Sequence, residues 1–349
     1  MLRLKGAGSG GNRWFGSIWS RASPGGVSVT KAITAPVLAT LTLNPALDLQ
    51  TGVDIVEPEN KLRCDVPRQD AGGGGVNVAR VLGRLGGRAT CILPLGGPAG
   101  QALQARLAAE GLDALVVPIA GETRQSFTVF DRSRGAEFRF VLPGPRLKAL
   151  EVRALETALA DLSPAPEVLV ASGSLPAGMD PTRLARLAAR VRRQGVKLAL
   201  DASGEGLRAG LEAGVWLVKP NLRELQQCLG RDLPDLPAQL AAARGLVDEG
   251  RAAWVALSLG GRGALLVGAG FAAHAPALPI TPVSTVGAGD SFLAGLVWEL
   301  SRGRPPRQAL ATAVAAASAT LMSPGSGMAR SADIRRLRPR VRIEVLVGG

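Results

Sequence analysis

Short apolar runs returning at intervals along the chain set the strongest limit on its fold. VLATLTL at 37–43, VLVAS at 168–172, KLALD at 197–201, VWLVKP at 215–220 and AAWVALSL at 252–259 each suit one buried strand. Between them lie segments with apolar residues at helical spacing, Pro181 to Gln194 among them. Repeated strand–helix units imply an α/β fold with a mostly parallel sheet covered by helices.

Two stretches break that rhythm. Leu49 to Pro67 and Ser126 to Leu142 look strand-like with no helix between their strands; in the second, TVF and EFRFVL flank a polar turn, Asp131 to Gly135. Such strands do not easily join a parallel sheet. They are expected to form a small separate sheet, from about 48–68 and 124–142, over the mouth of the site, with an edge or face able to pair two subunits.

Residues 1–35 hold five basic residues and no acid and are rich in Gly and Ser. They are expected to be a disordered basic tail outside a folded domain at 36–349. Such a start resembles an organellar transit peptide, but a plain extension or translation from an upstream start is the reading adopted. Gly6, Gly8 and Gly11 have GxGxxG spacing, yet no strand precedes and no helix follows them.

Composition narrows the function classes. Hydrophobic residues make up 46% of 349 and charged residues 20%, enough for a large core. Cys64, Cys91 and Cys228 are odd in number and lack CxxC spacing, which argues against a disulfide framework or zinc site and for a reducing cytoplasm. His274, the single histidine, sits in the strand-like FAAHAPA, so histidine-based catalysis drops out. The net charge of +13 invites a nucleic-acid reading, but aromatic content is 3% and no such motif is present, so no nucleic-acid partner is expected. Arg183, Arg186, Arg190, Arg192 and Arg193 read as a solvated helix face, and polyanionic small substrates account for part of the charge. Gln308 to Met322 is Ala-rich with Gln, Thr and Ser, a buried core helix rather than a membrane span.

Four motifs carry chemistry. In TVGAGDSF, Thr285 to Phe292, glycines let the amides of Gly287 to Asp290 converge at a helix N-terminus, an anion site. Asp290 there is either a general base for a hydroxyl or an ordinary helix cap, and the segment alone leaves both open. AGGGGVNVAR, Ala71 to Arg80, is either a flexible turn or a close backbone approach that lets Asn77 reach sugar hydroxyls. KPNLRE, Lys219 to Glu224, has capping-box spacing, while Lys219 could reach phosphates and Asn221 and Glu224 a hydrated magnesium ion. SLGGRG, Ser258 to Gly263, reads as a hairpin turn against which a nucleotide could lie.

These motifs in this order resemble the PfkB family of carbohydrate kinases, from about Leu38 to Ala329. TLTLNPALD, NKLRC, GGGGVNVAR, TRQ, FRFVLPG, SGSLPAG, VKPN..EL, SLGGRGAL and STVGAGDS carry the match. The resemblance implies a ribokinase-like three-layer αβα core, a β lid and a homodimer joined through lids. It implies MgATP-dependent phosphorylation of the 1-hydroxyl of fructose 6-phosphate, with kinases of fructose 1-phosphate or tagatose 6-phosphate as alternatives. Asp290 then looks like the base and the amides of Gly287, Ala288 and Gly289 like the anion hole. Asp48, Gly73, Gly74 and Asn77 look like sugar contacts, and Lys61, Arg124, Arg139 and Ser174 like contacts to the substrate's phosphate. Lys219, Asn221, Glu224, Ser258, Gly260, Gly263 and Thr285 fall on the ATP side. Ser284, Val286, Ala319 and Gly325 fall near a potassium site, where MSPGSG departs from the family in length and lacks its polar pair. A rival from another class is a catalytically silent sugar or nucleotide sensor.

Overall fold

A computed structural model describes residues 37–325 and 327–348, so the tail at 1–35, with its glycine triplet, lies outside the described residues. The apolar runs become strands of one ten-stranded sheet. β5 (Ala114–Pro118), β4 (Ala89–Leu95), β1 (Leu38–Leu41), β8 (Val168–Ser172), β9 (Lys197–Asp201), β10 (Val215–Val218) and β11 (Ala252–Ser258) lie side by side and parallel. β12 (Ala264–Gly268), β13 (Phe271–Ala275) and β14 (Glu344–Val347) continue it antiparallel. Ser172 pairs with Asp201, and Leu217 and Val218 with Ala199 and Leu200, so the strand C-termini finish along one edge. β1 lies between β8 and β4 where the strand order reverses, the place where such sheets open a crevice.

The two-residue alternation of side chains divides the core. Leu38, Val168 and Val170 face a cluster with α1 (Gly74–Arg84), α2 (Gly97–Ala109), α8 (Ala288–Ser301), α9 (Pro306–Leu321) and α10 (Ser331–Leu337). Ala39, Leu169 and Ala171 face a second cluster with α3 (Ala149–Ala160), α4 (Thr182–Arg193), α5 (Gly204–Ala213), α6 (Leu222–Leu229) and α7 (Leu236–Asp248). This is the three-layer αβα architecture expected. Each fully buried leucine contributes about 1.5–3 kcal/mol. The Ala-rich segment is α9, buried over most of its length, and no described helix is long and apolar enough to cross a membrane. His274 sits on β13, its ring nitrogens against the Arg262 carbonyl at 3.0 Å and Glu344 at 3.3 Å.

The second sheet has the order β3 (Arg68–Gly72), β2 (Ala46–Val53), β6 (Arg124–Asp131), β7 (Ala136–Val141). The expectation for 48–68 needs correction: residues 54–67 form no strand, and β3 pairs with β2 in their place. Pro58 and Pro67 lack the N–H a ladder needs, and Glu59 holds a φ of 63°, so the segment loops outward. Asp131 ties that loop to the β6–β7 turn. Its carboxylate accepts from Ser133 Oγ at 2.7 Å and from the N–H groups of Arg134 and Val56, both at 3.0 Å.

The glycine run sets how closely α1 approaches both sheets. A Cβ on Gly72 would stand 2.1 Å from Asp48 Oδ2, and one on Gly74 2.2 Å from Ser172 Oγ. Gly73, at φ 124°, would meet Thr42 Cγ2 at 2.6 Å. The run is therefore a packed crossing rather than a flexible turn. Gly74→Ala is expected to destabilise the fold by about 1–3 kcal/mol through overpacking. Gly83→Ala, in the same helix with nothing within 4 Å of the added carbon, is expected to stabilise it by about 0.5–1 kcal/mol. Chemical denaturation of both variants checks the pair, and equal effects would refute the packing argument.

Candidate active site

α8 begins where the TVGAGDSF motif turns. Gly287, at φ 72°, is its N-cap; a Cβ there would lie 2.3 Å from Met328 Cε, so only glycine fits. No side chain caps this helix, which leaves the first-turn amides of Ala288, Gly289 and Asp290 pointing out as donors. Asp290 is the third residue of the helix, not its cap, which removes the capping alternative.

Hydrogen bonds from two other elements fix the Asp290 carboxylate. Asn77 Nδ2 of α1 donates to Oδ2 at 2.8 Å, and Ser172 Oγ at the end of β8 lies 3.4 Å from Oδ1. The Asn77 amide is itself oriented, because Arg80 Nη1 donates to its Oδ1 at 2.8 Å. Arg80 is buried and anchored by Glu110 at 2.5 and 3.0 Å and by the Ala71 carbonyl at 2.9 Å. Lys219 Nζ pairs with Asp201 at 3.1 Å beside the start of α8. Burial pushes the Asp290 pKa up from 3.8 to about 6; the Asp201 charge adds to the rise, while Asn77, Lys219 and Ser172 oppose it. Burial draws the Lys219 pKa down, but its carboxylate neighbours, Asp201 first, outweigh that and leave it raised, so Lys219 stays charged.

Asp290 lies in a cleft of about 230 Å³ between the main-sheet crevice and the second sheet. Asp48 and Gln50 of β2, Arg124, Ser126 and Thr128 of β6, and Arg139 of β7 line its other wall, at alternating strand positions. Gly73, Gly74, Asn77, Thr285, Val286, Gly287 and Gly325 also line it, and Ala46, Phe127, Glu137, Phe140 and Val141 complete it. Burial raises the Asp48 pKa to about 6, with Arg124 and Arg139 pulling back. Arg124 is held by the Asn44 carbonyl at 3.2–3.3 Å. The Arg139 side chain makes no hydrogen bond or ion pair among the described residues. Ser174 stands at the margin, accepting from Asn44 Nδ2 at 3.0 Å and absent from the lining. Lys61 is not brought to the cleft: it is exposed on the 54–67 loop.

Of the residues assigned to ATP, Thr285 lines the cleft, while Lys219, Asn221, Glu224, Ser258, Gly260 and Gly263 lie along the ends of β10 and β11, outside its lining. Asn221 bridges Ser258, whose N–H donates to the Pro220 carbonyl at 3.0 Å. Asn221 Oδ1 accepts from the Glu224 N–H at 2.9 Å, and Glu224 Oε2 from the Asn221 N–H at 2.8 Å, a complete capping box. Glu224 Oε1 is left over, which suits a magnesium ion held mostly through water, and no group of three or more His, Cys, Asp or Glu side chains placed to hold a metal occurs among the described residues. Gly260, at φ 60° with open space around it, and Gly263, at φ 96°, shape the turn from β11 to β12. Near the expected potassium site, Val283 and Ser284 both donate to the Leu321 carbonyl, while Val286 and Gly325 both line the cleft. The Ala319 carbonyl accepts from Ser323 Oγ at 3.1 Å, and Ser284 Oγ lies 3.4 Å from the Val286 N–H.

Sequence reasoning missed Ser172, Asp201 and Arg80. The first two end strands named at the outset, and the C-terminal edge of a parallel sheet is where ligands bind, so their position was the signal. Arg80 had none, because its role depends on burial beside a distant Glu110. Chemically, the arrangement offers an ionisable carboxylate beside free amide donors on one wall of a small cleft and two guanidiniums on the wall formed by the second sheet.

Residues 41–332 match the family described as pfkB family carbohydrate kinase. The ATP-dependent 6-phosphofructokinase isozyme 2 of Mycobacterium tuberculosis is 43% identical over 301 residues, covering 86% of this chain and 88% of that protein. The 1-phosphofructokinase of Vibrio cholerae is 32% identical over 310 residues, covering 88% and 97%. Among solved structures, the phosphofructokinase-2 of Escherichia coli in complex with substrates and products has a TM-score of 0.83 at 37% identity, over 87% of this chain and 99% of that one.

The raised Asp290 pKa has a consequence for stability. Between the unfolded value of 3.8 and the folded value of about 6 the folded state holds the extra proton, so the fold loses stability as pH rises through that window. Asp290→Asn removes this loss. Its melting temperature is expected to exceed that of the wild type above pH 7, the gain shrinking as pH falls towards 4; a gain independent of pH contradicts the assignment.

Proposed function

We infer, starting from the fact that this chain belongs to the pfkB family of carbohydrate kinases, that it transfers the γ-phosphoryl group of ATP to the 1-hydroxyl of fructose 6-phosphate. The observation that carries this reading is the cleft between two walls, with Asp290 and the α8 amides on one and Arg124 and Arg139, from the second sheet, on the other. A sugar that already bears one phosphate matches it. Guanidiniums bind such a group in bidentate fashion, and the Arg139 side chain has no hydrogen bond or ion pair among the described residues to give up. The 6-phosphofructokinase relative is also more similar than the 1-phosphofructokinase one.

In this reading Asp48 and Asn77 hold sugar hydroxyls, and Asp290 takes the proton from the 1-hydroxyl as the phosphoryl group moves across. The amides of Gly287, Ala288 and Gly289 receive the charge on the transferring oxygens, and Lys219, kept cationic by Asp201, adds to that field. Asn221 and Glu224 would hold magnesium through water, and the ion would supply neutralisation of the nucleotide phosphates. Thr285 borders the cleft beside them.

Lys61 and the second sheet fit a homodimer. Four of the chain's seven phenylalanines lie on β6 and β7, with Phe127 and Phe140 paired across the strands and 38% and 52% exposed. So much aromatic surface in an aromatic-poor chain supports a second copy covering it. Lys61, exposed on the adjoining loop, then serves as a phosphate contact by reaching the partner's cleft.

A coupled assay across fructose 6-phosphate, fructose 1-phosphate and tagatose 6-phosphate tests the substrate. The highest kcat/KM is expected for the first; a higher value for either other sugar assigns the alternative. Arg139→Ala is expected to raise the KM for the phosphorylated sugar about 10–100-fold with kcat changed less, and an unchanged KM rejects the phosphate assignment.

A further inference from the structure

Arginines repeat along α4 at positions 183, 186, 190 and 193, a spacing that places them on one side of the helix. With Arg153 of α3 they surround a hollow of about 450 Å³ whose remaining lining is Leu187 and Glu156. Five guanidiniums therefore face one carboxylate. The single ion pair, Arg183 to Glu156, is long at 3.7 Å. Arg153, Arg186, Arg190 and Arg193 make no side-chain hydrogen bond or ion pair among the described residues.

The gathering of five guanidiniums around one hollow is what points to a ligand; elsewhere on the helices some arginines have acids within reach. Arg208 pairs with Glu205 at 3.1 Å, Arg336 with Asp333 at 2.7 Å and Arg338 with Glu299 at 3.7 Å. Around the hollow Glu156 is the one acid in the lining. Asp180, whose carboxyl feels Arg186 and Arg183, is engaged by the Thr182 N–H at 2.9 Å and hydroxyl at 2.7 Å. Leu184, Leu187, Ala188 and Val191 are buried and fix which side of α4 carries the arginines. Held this way, the guanidiniums repel one another unless an anion stands between them.

We propose that the hollow between α3 and α4 is a second anion site, which takes a small polyphosphorylated molecule of the triphosphate class, inorganic or nucleoside. Guanidinium forks match phosphate oxygens two at a time, so five of them suit a chain of phosphates better than one carboxylate. The hollow is concave and no aromatic residue lines it, which disfavours stacking on single-stranded bases. It shares no residue with the Asp290 cleft and lies on the opposite helix layer, so the proposal is independent of the reaction.

The test is calorimetric titration of the full-length protein with inorganic tripolyphosphate. Arg186 and Arg193 are exposed, so Arg186→Gln/Arg193→Gln is expected to fold normally and to keep the wild-type kcat/KM. It is expected to bind tripolyphosphate about tenfold or more weakly, at the usual worth of two charge-assisted hydrogen bonds. Arg192→Gln, on the same helix but outside this hollow, is expected to leave the affinity unchanged. Competition by ATP in the presence of excess sugar distinguishes the sources: equal displacement assigns the phosphate chain alone and tighter displacement adds the nucleoside, and either supports the site. Equal binding by wild type and double variant, an equal loss in Arg192→Gln, or no binding by the wild type overturns it. So does a short DNA duplex that binds more tightly through the same arginines.

Discussion

The hydrogen bond from Asn77 Nδ2 to Asp290 Oδ2, 2.8 Å long and bridging 213 positions of sequence, ties two helix N-termini into one site. Everything near it serves to keep that contact in one geometry. Glu110 holds Arg80, Arg80 turns the Asn77 amide, and the amide then has only its N–H to offer the carboxylate. On the far side the pair of Lys219 and Asp201 supplies one charge of each sign. The resulting field is mixed by design: burial and Asp201 favour the proton on Asp290, and the donors favour its removal. A carboxylate balanced in this way accepts a proton near neutral pH more readily than an exposed aspartate does.

Close packing makes that balance possible. Gly72, Gly73 and Gly74 bring α1 against Asp48, Thr42 and Ser172 at distances a side chain would forbid, and Gly287 does the same for α8 against Met328. Stability is spent at these contacts, since buried charges and left-handed backbone both cost free energy. The two leucine-rich clusters on either face of the sheet offset it.

Much of this was legible in advance, for identifiable reasons. The strands VLVAS and KLALD were read to the residue because their apolar runs end at polar side chains, and the capping box at Asn221 and Glu224 because it is local. Asp290 was found through its glycines, whose spacing reports the turn. Where the reading failed, the missing information was tertiary. β3 carries polar and small residues with no strand pattern and exists because β2 offers it a ladder. Asp201 and Ser172 looked like strand ends until the parallel register placed them together. Lys61 carried a family likeness but no sign of which cleft it could reach, and the arginines of α4 passed for a solvated face until α3 closed the hollow beside them.

The central claim is that Asp290, held by Asn77 and Ser172, is the proton acceptor. The pH dependence of kcat/KM in wild type and Asp290→Asn tests it most directly. The account requires an acid limb with a midpoint near the folded pKa of about 6 in the wild type, and in the variant a rate lower by about 10²–10⁴-fold with that limb gone. A variant that keeps both the rate and the limb would contradict it.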